Sequence, residues 1–208
     1  MSDDTRAAQH PADTDWHRWA PIGQTLDTSG VPGSGPVPSI AAFELLPLDQ
    51  MLVPEKPRHG ELDPSQCHHC RPSKNVIWHD DEWQVASGFE GGVGLPFVGS
   101  ISPRRHVLLE DAPVEVLAGL GPVLQRLSNA TKRIPAVARC HFSRWNDGSA
   151  HLHLWAYARP AGMMQGRGAI LPYWEQSMPA MPEQMMHHHI DIVAEALAAG
   201  GGQAHPHR

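Results

Sequence analysis

Two cysteines separated by two residues constrain the fold of this chain more than any other feature. Cys67 and Cys70 lie in the segment CHHC, and the turn of a C-x-x-C segment directs both sulfur atoms toward one point. In a reducing compartment this spacing indicates a metal site or a dithiol redox motif. A redox motif would open a helix, but Arg71-Pro72-Ser73 follows Cys70 here. The segment therefore predicts a zinc knuckle that needs two further ligands.

The missing ligands are expected among the histidines, of which the chain has 15. Imidazole is the usual partner of cysteine thiolates in tetrahedral zinc sites. The spacing alone leaves five candidates open: His68, His69, His79, His106 and His151.

A second histidine feature is the apolar run HLHLWAYA, in which His151 and His153 alternate with leucines. In a strand, His151, His153 and Trp155 share one face, and the leucines share the face that packs beneath helices. The two imidazoles then lie about 7 Å apart along the strand, which suits two adjoining roles. The alternative is a pair of half-exposed strand histidines without a function.

The surrounding pattern predicts an α+β domain with short strands and two amphipathic helices. Residues 75–87 predict a hairpin around an acidic turn, because two β-rich runs flank Asp80 and Asp81. The remaining strands are expected at 97–102, 106–110, 137–145 and 151–158, with a turn at 146–148 between the last two. Helices are expected from Asp111 onward and over 182–200, where apolar residues recur at helical spacing.

Composition divides the chain into three parts. Residues 1–62 are rich in proline, glycine and serine and predict an extended, partly disordered arm, although Trp16 and Trp19 indicate that part of it docks. Residues 63–199 form the folded domain, and residues 200–208 are expected to be a flexible tail.

Net charge and hydropathy exclude several classes of function. A net charge of −6 argues against a general nucleic-acid binder. No apolar run approaches the roughly 20 residues of a membrane span, and the acidic N-terminus lacks the apolar core of a signal peptide. Three cysteines do not indicate a disulfide scaffold, so a cytoplasmic location without membrane partners is expected.

Four separated elements, CHHC, VIWHDDEWQV, PRRHVLLEDAPVEVLAGL and HLHLWAYARP, resemble the histidine-triad superfamily in order and spacing. The resemblance covers about residues 66–170 and includes the galactose-1-phosphate uridylyltransferase branch. It implies a HIT-like antiparallel sheet with packed helices, and a homodimer. It also implies one structural zinc ion per chain, held by Cys67, Cys70, His106 and His151.

The same resemblance implies chemistry at phosphorus. His153 matches the nucleophile that attacks the phosphorus of a nucleotide, so a nucleotide hydrolase or nucleotidyltransferase with a covalent histidine intermediate is expected. The partner would be a nucleotide or another phosphorylated small molecule. The candidate phosphate- or substrate-binding residues, through donors or positive charge, are Asn146, Ser149, Trp155 and Arg159.

Trp155 is the main departure from the family pattern. Histidine-triad hydrolases have a third histidine at this position and the uridylyltransferase branch has glutamine, whereas an indole donates one N–H and carries no proton in a reaction. The sequence resembles a divergent sub-branch in which this tryptophan recurs. We therefore keep two alternatives open: a non-catalytic zinc-scaffolded module that binds a phosphorylated ligand or protein, and a second, redox-active metal held by His153 and its neighbours.

Overall fold

The computed structural model of the protein describes residues 14–21, 24, 56–88, 92–164 and 167–206. Within these residues the chain is α+β, as the sequence predicts. The strands are β1 (Val76–His79), β2 (Trp83–Ser87), β3 (Val98–Pro103), β4 (Val137–Ser143), β5 (Leu154–Pro160) and β6 (Gln203–Ala204). The α-helices are α1 (Asp15–Trp19), α2 (Val114–Thr131), α3 (Leu171–Ser177) and α4 (Glu183–Ala198), and two short 3-10 helices span Pro64–Gln66 and Gly168–Ile170.

The six strands form one antiparallel sheet in the order β4-β5-β3-β2-β1-β6. The strand register divides its side chains between two faces. Val85 pairs with Ile101, and Ile101 pairs with Leu154, so these apolar side chains line one face, which we call the core face. Gln84 and Ser102 pair one position along and lie on the opposite face, which we call the site face.

Helices α2 and α4 cover the core face. Their buried side chains recur at helical spacing, as the apolar pattern predicts. Those of α2 include Val116, Val123 and Leu127, and those of α4 include Ile190, Val193 and Leu197. Burial of these residues beside Trp78, Val85 and Ile101 forms the hydrophobic core, which holds the sheet rigid beneath the site face.

The N-terminal arm contains a docked helix. Thr14 caps α1 by accepting a hydrogen bond from the His17 backbone N–H. Trp16 is buried, and its indole N–H donates to the Gly94 carbonyl at 3.1 Å. His17 Nε2 lies 2.7 Å from the Ala161 carbonyl, to which it donates. Most of the arm, including residues 25–55, lies outside the described residues.

The hairpin of β1 and β2 and both long helices confirm the predicted elements. The strand predicted over 106–110 is wrong: this segment has no regular structure, and Val107 contributes its carbonyl to the Leu152 N–H instead. Strand β5 begins only at Leu154, so His151 and His153 lie in the irregular segment that leads into it.

Residues 203–204, within the segment predicted as a flexible tail, form β6 on the edge of β1. The backbone N–H of His205 donates to the Ile77 carbonyl at 2.7 Å, which extends this pairing. Edge strands offer unpaired backbone groups, and the tail satisfies those of β1. No helix in the described part of the chain combines the length and apolar character that a membrane crossing requires.

Candidate metal centre and histidine site

Four side chains from three separate segments converge on one point. Cys67 and Cys70 belong to the knuckle, His106 follows β3, and His151 precedes β5; their ligand atoms all lie within 4.8 Å of one another. The structure thus brings together the four zinc ligands that the family resemblance implies. Of the five histidines that the knuckle spacing left open, His106 and His151 are the two in this cluster.

The distances within the cluster fit a tetrahedral zinc ion. His151 Nδ1 lies 3.3 Å from Cys67 Sγ and 3.5 Å from Cys70 Sγ, and His106 Nδ1 lies 3.4 Å from Cys70 Sγ. Zinc bonds of about 2.3 Å to sulfur and about 2.0 Å to nitrogen, at tetrahedral angles, place these atoms about 3.5 Å apart. A Cys2His2 set leaves no open position, so the cluster is a site for one structural zinc ion.

Hydrogen bonding selects the tautomer of His151 that binds a metal through Nδ1. His151 Nε2 lies 2.9 Å from the Pro103 carbonyl, which only accepts, so Nε2 carries the proton and Nδ1 keeps its lone pair. The side chain is 0 % exposed, and burial lowers the pKa of His151 to about 4. The imidazole is therefore neutral, the form that binds metals.

The backbone beside the cluster is tightly packed. Residues 59 and 149 form a parallel bridge, with the His59 N–H donating to Gly148 and the Ala150 N–H donating to His59. Gly60 has φ of +84°, and a Cβ there would lie 2.7 Å from Cys67 Cβ, so only glycine fits. The knuckle is thus held against the segment that carries His151.

His153 lies next to the metal centre with the opposite tautomer. Its Nδ1 lies 2.7 Å from the His151 carbonyl and donates to it, which leaves the Nε2 lone pair unprotonated. Burial lowers the pKa of His153, and the positive charge of Arg144 lowers it further. The ring is thus a neutral imidazole with one nitrogen available for chemistry.

His153 is more enclosed than the sequence suggests. The sequence pattern left a half-exposed strand histidine as one alternative, but the residue is 5 % exposed. The ring of His69 stacks on it with centroids 4.5 Å apart and planes at 26°. The indole of Trp155 approaches edge-on, at 6.5 Å and 85°. Two aromatic rings therefore border the imidazole.

The other predicted site residues lie at varied distances from His153. Ser149 faces the metal centre: its hydroxyl donates to the His59 carbonyl and lies 3.8 Å from Cys67 Sγ. Asn146 has φ of +65°; with its amide oriented to satisfy its neighbours, it accepts from Arg144 and Arg58 and donates to the Ser149 carbonyl. Arg159 lies near the far end of β5, six residues after His153 in the sequence, and is buried. Phosphate binding by these residues stays a prediction.

Sequence reasoning missed the position of His69 against His153. The C-x-x-C spacing made His69 only one of five possible zinc ligands. The sequence signal for this position is that His69 directly precedes the ligand Cys70, where the knuckle lies over the site face. Gln84, on that face, donates to the His69 carbonyl at 2.7 Å.

No protein-family model matches the chain, and no curated protein matches it. Solved structures do. A zinc-bound histidine-triad family protein from Mycobacterium smegmatis is 20 % identical, covering 65 % of this chain and 95 % of its own, with a TM-score of 0.46. A hypothetical histidine-triad nucleotide-binding protein from Sulfolobus tokodaii strain 7 is 16 % identical, covering 60 % and 84 %, with a TM-score of 0.42.

A uridylyltransferase mutant is also similar, at 20 % identity and a TM-score of 0.46. The match covers 68 % of this chain and 50 % of that one, so the chain matches about half of that enzyme. At these identities the likeness concerns the fold alone.

Proposed function

We propose that the protein is a nucleotide hydrolase or nucleotidyltransferase that acts at phosphorus through a covalent intermediate on His153. The observation that carries this proposal is the hydrogen bond from His153 Nδ1–H to the His151 carbonyl. It directs the Nε2 lone pair away from the backbone, as an imidazole nucleophile requires. The motif resemblance supports the same role for this residue.

The reaction divides into two displacements. His153 Nε2 attacks the phosphorus of the nucleotide; an N–P bond forms while the bond to the leaving group breaks, and the leaving group departs with its electron pair. Water or another acceptor then attacks the same phosphorus and breaks the N–P bond, which returns the imidazole to its starting state. Water gives hydrolysis, and an alcohol or phosphate acceptor gives transfer.

The zinc ion in this proposal is structural and ties the knuckle to the two segments that flank the reaction site. Such a cross-link contributes folding free energy to a modest domain. His151 serves both parts, because its side chain is a metal ligand while its carbonyl holds His153.

Positive charge near His153 suits a phosphate group. Arg144 is close enough for its charge to lower the pKa of His153, and its guanidinium lies 3.2 Å from a carboxylate oxygen of Glu110. We propose that Arg144, held by Asn146, neutralises the phosphate during attack, because a guanidinium binds phosphate oxygens through paired donors. The Trp155 N–H is a further donor, and Arg159 would reach only a distant anionic group.

Trp155 limits the choice of substrate. An indole cannot protonate a departing oxygen, so the reaction needs a leaving group that departs without a proton from this position. Phosphate chains and nucleotide sugars with phosphate leaving groups meet this condition better than simple alkyl esters. A nucleotide is therefore the expected partner, with the homodimer and the cytoplasmic location as further predictions.

The enclosure of His153 favours one alternative function. With 5 % exposure and two bordering rings, the site also suits a zinc-scaffolded module that binds a phosphorylated ligand or protein without reaction. Such a module would show ligand-dependent stabilisation in the absence of product, and a conservative His153 variant would bind as wild type does.

The test is a substrate panel of nucleoside phosphoramidates, dinucleoside polyphosphates and nucleotide sugars. His153→Ala is expected to abolish turnover while metal content and melting temperature stay at wild-type values. The matched control is His188→Ala, at an exposed position on α4, which should retain turnover. The catalytic proposal is wrong if no member of the panel gives a His153-dependent product.

A further inference from the structure

The two middle residues of the knuckle, His68 and His69, each stack on another imidazole, but on different ones. The His69 ring lies 4.5 Å from that of His153, with planes at 26°. The His68 ring lies 4.0 Å from that of His59, with planes at 28°. Two adjacent histidines of one turn thus have separate partners, and only His69 contacts the reaction site.

His69 is held in place from both sides of the knuckle. It lies between the metal ligands Cys67 and Cys70, and neither of its ring nitrogens belongs to the ligand cluster. Gln84 donates one hydrogen bond to the His69 carbonyl at 2.7 Å and another to Ser102 Oγ at 3.2 Å. Because Gln84 and Ser102 are register partners on β2 and β3, the central strands of the sheet fix the position of the His69 backbone.

The stack supplies a restraint that His153 otherwise lacks. A single hydrogen bond from Nδ1–H to the His151 carbonyl fixes one direction in the plane of the ring but leaves the ring free to tilt about that bond. A flat ring against one face prevents this tilt, with Trp155 at the other border. Together the contacts define where Nε2 points, and misplacement of a reacting atom by about 1 Å costs about a hundredfold in rate.

We propose that His69 is a positioning residue that fixes the plane of the His153 imidazole and thereby couples the zinc knuckle to the orientation of Nε2. The proposal rests on the proposed function only in calling Nε2 the nucleophile. The orientation itself is a property of the folded protein. It is therefore measurable without a substrate.

The experiment compares His69→Ala, His69→Phe and His68→Ala in the zinc-loaded protein of 208 residues. The His68 variant is the matched control, because it removes a stacked imidazole from the same turn without touching His153. Metal content by mass spectrometry establishes that each variant retains its knuckle. If His69→Ala does not fold, Gln84→Met removes the anchor of the His69 carbonyl and leaves the knuckle sequence intact.

The readout is the two-bond ¹H–¹⁵N NMR spectrum of the imidazoles, with His153 assigned from its absence in His153→Ala. In wild type, His153 should show a protonated Nδ1 and an unprotonated Nε2. In His69→Ala the two nitrogen signals should move toward each other as the second tautomer becomes populated. His69→Phe, which keeps a ring in the stack, should restore the wild-type pattern, and His68→Ala should preserve it.

An unchanged His153 signal in His69→Ala would overturn the proposal, as would an equal change in His68→Ala. If a substrate has been found, His69→Ala should lower kcat by about tenfold to a hundredfold with a smaller effect on KM, and His69→Phe should recover most of the loss. Absence of any His153-dependent product, with the NMR changes present, would refute the proposed function and leave the positioning role supported.

Discussion

Glu175 offers a test of the core that is independent of the metal centre. It lies in α3 and is 5 % exposed. Burial raises the pKa of this carboxyl to about 7, an effect that a hydrogen bond from the Gly94 backbone partly opposes. Burial also raises the pKa of Tyr157, and the charge of Glu175 raises it further. The carboxyl group is therefore expected to be protonated in the folded protein at mildly acidic pH.

The raised pKa sets both the sign and the size of the effect on stability. A carboxyl group whose pKa is higher in the folded protein than in the unfolded protein favours folding while it is protonated. This contribution to stability is fully present below pH 4.5 and is lost as the pH rises through 7. A rise from 4.5 to about 7 corresponds to about 3 kcal/mol. Above pH 7, ionisation of Glu175 should therefore lower the free energy of unfolding of the wild-type protein by up to this amount.

The substitution Glu175→Gln removes the ionisation while keeping the size of the side chain. The free energy of unfolding, from urea titrations at pH 5, 6, 7 and 8, should differ between wild type and variant by less than about 1 kcal/mol at pH 5. The variant should be more stable by about 2–3 kcal/mol at pH 8. Protonation of the cysteine and histidine ligands affects both proteins equally, so it cancels in the difference.

Glu195→Gln is the control, because Glu195 lies on α4 at an exposed position. Its difference from wild type should stay nearly constant over the same pH range. A Glu175→Gln difference that is equally constant would show that the carboxyl group is not desolvated, and the reasoning from its burial would fail.

Two further predictions concern the metal centre. Metal analysis of the purified protein should give one zinc ion per chain. Cys70→Ser should lose the ion on dialysis, whereas Cys140→Ser, at the cysteine outside the cluster, should retain it. Retention of zinc by the Cys70 variant would contradict the ligand set. Gly60→Ala should lower zinc affinity in a chelator competition, because its Cβ would lie 2.7 Å from Cys67 Cβ. Gly201→Ala, also at positive φ but with open space around it, should leave zinc affinity unchanged. Equal effects of the two substitutions would attribute the loss of zinc affinity to backbone strain alone.

The parts of the fold that could be predicted are those written as local periodic patterns. The hairpin of β1 and β2 has β-rich runs around an acidic turn, and α2 and α4 have apolar residues at helical spacing. The zinc ligands followed from the family resemblance, which four separated elements carry, because the C-x-x-C spacing alone left five histidines open. The strand predicted from the apolar run at 106–110 is wrong. His106 belongs to the ligand cluster, and this segment has no regular structure.

Other features depend on contacts that no local pattern encodes. Strand β6 has two residues, too few for a period, and forms because the edge of β1 has backbone groups to satisfy. The docking of α1 depends on Trp16 reaching the Gly94 carbonyl, 78 positions away in sequence. The position of His69 against His153 depends on Gln84, in a strand that follows the knuckle.

The opposite tautomers of His151 and His153 suit these neighbouring imidazoles to two different roles, metal binding and the proposed attack on phosphorus. His151 donates through Nε2 to Pro103, which directs Nδ1 to the sulfurs. His153 donates through Nδ1 to the carbonyl of His151 itself, which leaves Nε2 available. His151 therefore links the two sites, because its side chain is a metal ligand and its carbonyl accepts the hydrogen bond that orients the His153 imidazole. Loss of the zinc ion would remove one restraint on His151, so we expect the orientation of His153 to depend on a metal that takes no part in the proposed reaction.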